Sequence, residues 1–223
     1  MSTYPARPMP PPQPLYPRLG KRLLDLVVTV LALLALAPLL LIIAGLVRLS
    51  SPGPVLFRQE RLGHDRRPFT LLKFRTMYTG CDDAAHRAYV TRLLTGEAPE
   101  LGAGRRGLFK LPDDPRITPI GVWLRRTSLD ELPQLFNVLA GRMSLVGPRP
   151  CLAWESELYD PRDLGRFRVP PGLTGLWQVS GRNRLSARQA LDLDLTYVER
   201  QGLWLDLVIM ARTLPALLRS EAS

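Results

Sequence analysis

The chain has 223 residues and a formal net charge of +10, enough for one domain with a packed core plus a membrane segment and tails, and too short for a second large domain. Arginine far outnumbers lysine, and so basic a balance asks for an anionic partner, for which nucleic acid, anionic lipid and nucleotide sugar are the candidate classes. Cys81 and Cys151 show neither metal-ligand spacing nor a disulfide framework, and with only His64 and His86 present a zinc site or histidine-based triad is excluded as the working chemistry.

Residues 1–17 hold seven prolines and little that could form a core, so they read as a disordered, partly polyproline-like tail. The apolar run that follows begins too late and continues too long for a signal peptide. It covers residues 26–47, twenty-two uncharged and almost wholly apolar positions, a bilayer-spanning length. Lys21 and Arg22 precede it and Arg48 follows, with Arg18, Arg58, Arg61, Arg66 and Arg67 further out on the two sides. The preference of basic residues for the cytoplasmic side asks both ends to stay there. Pro38, near the middle, removes a backbone hydrogen bond and lets a helix turn back. The expectation for residues 18–49 is a re-entrant helix, break and helix, with a straight span as the alternative. Asp25 is placed to pair with Lys21 or Arg22 at interfacial depth.

Residues 50–218 read as one cytoplasmic domain, α+β but mostly helical. Residues 55–59 and 69–73 are short apolar runs separated by Arg61-Leu62-Gly63-His64-Asp65-Arg66, a small hairpin pattern. Residues 82–109 are polar and contain arginine and glycine, which suggests an inserted helix with a mobile loop. Next, Thr127-Ser128-Leu129-Asp130-Glu131-Leu132-Pro133-Gln134-Leu135 sets Ser128 three residues ahead of Glu131 and before the apolar positions Leu132, Leu135, Phe136 and Leu139. That is the capping-box form of a helix start, with Asp130 in the first turn, where exposed N–H groups favour anions. Arg125 and Arg126 lie immediately upstream, so a carboxylate nucleophile and phosphate-clamping guanidiniums would share one small region. In isolation, plain capping is the commoner meaning of such a block.

Gly147-Pro148-Arg149-Pro150 pins a rigid turn, which holds an arginine with little freedom to lose. Pro171-Gly172-Leu173-Thr174-Gly175 offers glycines where backbone can approach a ligand, and Gln178 and Arg182 add polar reach toward base or sugar. Residues 190–200 and 203–218 carry apolar positions at helical spacing. In the second stretch Leu203, Trp204, Leu207, Val208 and Met210 suit an interfacial helix and a core-facing helix equally. Residues 219–223 are a short tail.

Six blocks in this order resemble the bacterial sugar transferase family, the monotopic phosphoglycosyl transferases that start glycan assembly on a polyprenyl phosphate carrier. They are Lys21-Arg22-Leu23-Leu24-Asp25, then Ser51-Pro52-Gly53-Pro54-Val55-Leu56-Phe57-Arg58-Gln59-Glu60-Arg61-Leu62-Gly63, then Lys73-Phe74-Arg75-Thr76-Met77. The block from Thr127 to Phe136 follows, then Ser144-Leu145-Val146-Gly147-Pro148-Arg149-Pro150, and last Pro171-Gly172-Leu173-Thr174-Gly175-Leu176-Trp177-Gln178-Val179-Ser180-Gly181-Arg182-Asn183. The resemblance covers residues 21–218.

The resemblance implies that Asp130 is a nucleophile that attacks the sugar-linked phosphate of a UDP-sugar, expels uridine monophosphate and keeps the phosphosugar until undecaprenyl phosphate displaces it. It implies Mg²⁺ on Glu131, a role that competes with capping, although Ser128 can cap alone. Lys73, Arg75, Arg125 and Arg149 would hold phosphates, and Gly172, Thr174, Gln178 and Arg182 the rest of the nucleotide sugar. Pro38 would mark the membrane break, where Ala37 stands at a position the family often fills with serine. The implied setting is the cytoplasmic face of the bacterial inner membrane, with no nucleic acid among the partners. Which sugar moves, which glycan is begun (exopolysaccharide, capsule, O-antigen or glycoprotein) and the oligomeric state, a homo-oligomer included, are not fixed by the sequence. Two other readings compete: a non-catalytic basic membrane-tethered binding protein, which leaves the adjacent carboxylates unexplained, and a glycosyltransferase that moves the sugar alone and releases UDP.

Overall fold

The computed structural model describes residues 18–97, 108–109, 114–181 and 185–219. The expectations for the proline-rich tail, for the loop within 98–107 and for Arg182 fall outside the described residues. The chain opens with α1 (Arg18–Ser50), 33 residues and about 50 Å long at 1.5 Å per residue. By length and composition it suffices to cross a membrane. The break expected at Pro38 does not interrupt it, and the helix runs on through that residue. A proline deletes one backbone bond while the turns on either side keep theirs.

Because nearly every residue of α1 is apolar, burial rather than hydropathy distinguishes its faces. Lys21, Asp25, Thr29, Ile43 and Val47 are buried, whereas Leu19, Leu23, Val27, Leu31, Leu34, Leu41, Ile42 and Leu49 are exposed. Steps of three and four residues put each set on its own side of the helix. Leu33 and Leu36 pack against the main core, and Leu39, Leu40 and Ala44 against a second cluster with Phe74 and Leu124. Contact with the domain therefore runs along both halves of α1, and the opposite face is a continuous apolar surface of the kind that meets lipid or a partner. Asp25 does not pair with Lys21 or Arg22. It accepts hydrogen bonds from Ser144 Oγ at 3.1 Å and Leu145 N at 3.0 Å, while Lys21 pairs with Asp206 at 2.6 Å.

The expected hairpin is present as β1 (Leu56–Leu62) and β2 (Pro68–Phe74), antiparallel, with Leu56 opposite Phe74 and Leu62 opposite Pro68. α2 (Ala84–Leu94) occupies the inserted segment. α3 (Pro119–Thr127) and α4 (Gln134–Leu139) flank a 3-10 turn at Leu129–Glu131. β3 (Ser144–Val146) pairs in parallel with β4 (Gly172–Thr174), with α5 (Ala153–Glu157) and a 3-10 stretch (Pro161–Arg168) between them. α6 (Leu176–Ser180), α7 (Ala187–Arg200) and α8 (Leu203–Arg219) complete the order. The main core gathers Leu71 of β2, Leu135 and Val138 of α4, Val146 of β3, Tyr197 of α7 and Ile209 of α8. α8 packs on the core through Ile209, with Asp206 also buried, and leaves Leu203, Trp204 and Leu207 exposed.

Two local devices hold the carboxylate turn against the hairpin. Asn137 of α4 donates to Thr70 O at 2.7 Å and accepts from Leu72 N at 3.0 Å, so α4 is fastened to the backbone of β2. α3 starts at Thr118, whose hydroxyl accepts from Gly121 N at 3.1 Å. Gly121 is required there because a Cβ would lie 2.1 Å from Thr76 O.

Candidate active site

α3 ends at Ser128, whose backbone is left-handed (φ 58, ψ 17). For a residue with a Cβ that conformation costs on the order of 1 kcal/mol. It reverses the chain into the 3-10 turn that carries Asp130 and Glu131. The capping box expected here does not form: the Ser128 side chain makes no cap, and α4 begins only at Gln134. Pro133, with no N–H to give to a ladder, sets the helix start beyond both carboxylates. A capping box does form among the described residues at Ser186 and Gln189, ahead of α7. Asp130 and Glu131 therefore lie ahead of α4 and not in its first turn, among charged side chains.

Asp130 is buried, with 4% of its surface exposed, whereas Glu131 is partly exposed and its Oε1 accepts from Lys73 Nζ at 3.0 Å. Burial lowers the pKa of Arg125, an effect opposed by the charges of Asp130, Asp114 and Glu131 and reinforced by that of Arg116. The last turn of α3 thus brings a guanidinium into the field of three carboxylates.

Asp114 and Arg116, which sequence reasoning passed over, belong to the same cluster. Arg116 grips Asp114 with two parallel bonds, Nε to Oδ1 at 2.7 Å and Nη2 to Oδ2 at 2.6 Å. Those bonds hold the Asp114 carboxyl below its ordinary range against the opposing effect of burial. The signal available in the sequence was an aspartate and an arginine bracketing Pro115 just ahead of a helix cap.

The structure sends Arg75 elsewhere. It is buried, and it donates to Ser51 O at 2.7 Å, to Val47 O at 3.3 Å and to Pro52 O, carbonyls at and just beyond the C-terminal end of α1. A guanidinium there satisfies carbonyls that the helix leaves over and complements its dipole. Gly172 is not a backbone opening for ligand either. A Cβ on it would lie 2.1 Å from Gly147 N, and the space is filled by the β3–β4 approach. Thr174 is buried, its hydroxyl 2.9 Å from that of Thr213, with its carbonyl accepting from Gly147 N at 2.9 Å. Gln178, on α6, is partly buried, with an Oε1 that has no hydrogen-bond partner among the described residues.

Arg149 sits in a second charged cluster. Its Nη1 donates to Glu155 Oε2 at 3.0 Å, and its guanidinium lies over the Phe109 ring at 4.4 Å. Arg61 approaches the other Glu155 oxygen at 3.7 Å, and Arg166 pairs with Asp194 at 2.6 Å while donating to Arg149 O at 2.7 Å. Three guanidiniums therefore face two buried carboxylates. Burial, and next the charge of Arg149, lower the Arg61 pKa to about 10. That surplus of positive charge suits a phosphate. His86 of α2 lies with its Nε2 3.1 Å from Phe109 O; burial lowers its pKa, and the charges of Arg149 and Arg116 act on it in the same direction.

Among the described residues no group of three or more His, Cys, Asp and Glu side chains is arranged for a metal. The acidic donors near the turn are carboxylate oxygens, few in number. That composition suits a hard cation such as Mg²⁺, which keeps waters and draws most of its ligands from substrate phosphates.

The family model for bacterial sugar transferases matches residues 16–220. The exopolysaccharide production protein ExoY of Sinorhizobium fredii is 43% identical over 205 residues, covering 92% of this chain and 88% of that protein. The UDP-glucose:undecaprenyl-phosphate glucose-1-phosphate transferase of Caulobacter vibrioides is 41% identical over 211 residues, covering 91% and 71%. The undecaprenyl-phosphate galactose phosphotransferase of Salmonella typhimurium is 38% identical over 206 residues, covering 92% of this chain and 42% of that protein. With a match spanning nearly its whole length and a carboxylate pair set among arginines, the chain belongs to the bacterial sugar transferase family and is a sugar-phosphate transferase.

Proposed function

We propose that this protein transfers a sugar-1-phosphate from a UDP-sugar to undecaprenyl phosphate in two displacements at Asp130, as the first step of a cell-surface glycan such as an exopolysaccharide. The observation that carries the reading is the buried Asp130 carboxylate, set in one turn beside the Lys73–Glu131 pair and in the field of Arg125. In the first displacement an Asp130 oxygen bonds to the phosphorus that bears the sugar, the phosphorus–oxygen bond to uridine monophosphate breaks, and the nucleotide leaves. In the second, an oxygen of undecaprenyl phosphate bonds to the same phosphorus and releases the Asp130 carboxylate. Arg125 and Lys73 offset charge on the reacting phosphoryl oxygens, and Arg149 is the candidate for the more distant phosphate. Glu131 would hold Mg²⁺, which when bound supplies charge neutralisation on the diphosphate. The printed names of the Caulobacter and Salmonella relatives contain the same carrier.

The membrane part of the reading is supported by how α1 is fastened. Near its start Arg22 donates to Val138 O and Leu139 O, and near its end the carbonyls of Val47 and Ser51 accept from Arg75. Both ends are therefore tied to the same domain, which favours both lying on the cytoplasmic face of the inner membrane over a straight span.

The test is the identity of the released nucleotide. Detergent-solubilised protein with Mg²⁺ and a panel of UDP-sugars is expected to release uridine monophosphate with one sugar, about one equivalent per protein without undecaprenyl phosphate and many equivalents with it. Uridine diphosphate would instead indicate transfer of the sugar alone.

A further inference from the structure

Basic residues ahead of an apolar run read from sequence as a signal for which side of the membrane that end occupies. The structure engages two of them inside the domain. Lys21 is buried against Asp206, which also accepts from Tyr197 Oη at 2.8 Å. Arg22 reaches the end of α4, where its Nη1 donates to Val138 O at 2.6 Å and its Nη2 to Leu139 O at 2.8 Å. A Cβ on Gly141 (φ 74) would come within 3.4 Å of the same guanidinium, so the chain turns tightly around it. Asp25, three residues on and on the same face of α1, takes Ser144 Oγ and Leu145 N. One face of the membrane helix thus holds both ends of the segment that leaves α4 and enters β3.

α4 is six residues long and too short to hold its own register, so its geometry depends on tertiary contacts. It follows the Asp130–Glu131 turn after Leu132 and Pro133 alone. Among the described residues, its side-chain hydrogen bonds to other elements are those of Asn137 to β2 and of Arg22 from α1, beside the packing of Leu135 and Val138 in the core.

We propose that Arg22 is a positioning residue for Asp130 and Glu131, closing α4 from the membrane helix so that the seating of α1 sets the geometry of the carboxylate turn. This assignment rests on Asp130 being the reacting carboxylate. Arg22 touches no reacting atom, and its effect is transmitted through α4.

The experiment compares full-length wild type, Arg22→Ala and Arg22→Lys in lipid nanodiscs. In Arg22→Ala, amide exchange at Gly141, Arg142 and Met143, whose N–H groups bond to Val138 O and Asn137 O, is expected to rise about ten- to a hundred-fold, the scale set by losing charge-assisted bonds. Turnover is expected to fall about ten-fold or more, with KM for the UDP-sugar within about two-fold, because ground-state binding is untouched. Millimolar guanidinium is expected to restore part of the turnover by occupying the vacated position. Arg22→Lys keeps the positive charge and membrane association but lacks the two-pronged fork, and is expected to remain impaired. The proposal is overturned by wild-type exchange at residues 141–143 in Arg22→Ala, by full activity in that variant, or by losses that follow membrane content alone and ignore guanidinium. A wild type that exchanges as described but transfers no phosphosugar would instead overturn the functional reading, leaving the anchoring of α4 by Arg22 in place.

Discussion

Replacing Asp130 by asparagine is expected to lower phosphosugar transfer by about 10⁴-fold or more, the scale of removing a covalent nucleophile. The amide keeps the size and planar shape of the carboxylate but loses its charge, exchanges one acceptor oxygen for a donor and cannot form an acyl phosphate. The fold is expected to survive, because the Arg125 guanidinium retains Asp114 and Glu131 as opposing charges and the turn stays anchored through α4 by Asn137. The measurement is the initial rate of label transfer from a radiolabelled UDP-sugar into the lipid fraction, with membrane association and melting temperature followed in the same preparations. Activity within about ten-fold of wild type would remove Asp130 from the nucleophilic role.

The second large effect concerns stability. Gly172→Ala would place a Cβ 2.1 Å from Gly147 N and 2.4 Å from Thr174 O, and neither backbone atom can move aside as the tip of a side chain would. The parallel β3–β4 pair, which joins Ser144 to Gly172 and Val146 to Thr174, must open or shift. A loss of roughly 3–5 kcal/mol is expected, the range of severe overpacking at a buried site. For a domain of this size that corresponds to a fall in melting temperature on the order of 10 °C. Gly45→Ala is the control, since a Cβ there meets nothing within 4 Å. Equal melting temperatures for wild type and Gly172→Ala in the same detergent would show that the pairing is looser than described.

What could be read from the sequence was local. Apolar runs and turn residues marked the hairpin, and helical spacing marked α7 and α8. What could not be read depended on partners far along the chain. Arg75 has the charge of a phosphate clamp, and only the fold shows its guanidinium on the carbonyls of Val47 and Ser51. Gly172 looks like a ligand-approach glycine until Gly147 is brought against it, more than twenty positions away. Asp25 finds Ser144 and Leu145 rather than its neighbours for the same reason. Ser128 misled differently: its serine-to-glutamate spacing satisfies a capping box, but the left-handed backbone that ends α3 there has no pattern in a residue that is neither glycine nor asparagine. Hydrophobic periodicity and turn residues were legible, and side-chain partners brought together by the fold were not.

The most direct test of the two-displacement account is the mass of the protein itself. Wild type incubated with Mg²⁺ and the UDP-sugar it uses, without undecaprenyl phosphate, is digested and its peptides weighed. The account predicts a sugar-phosphate increment on the peptide that contains Asp130, lost on addition of undecaprenyl phosphate and absent from Asp130→Asn. A fully active preparation that shows no increment under these conditions, or carries it on another residue, would contradict the account.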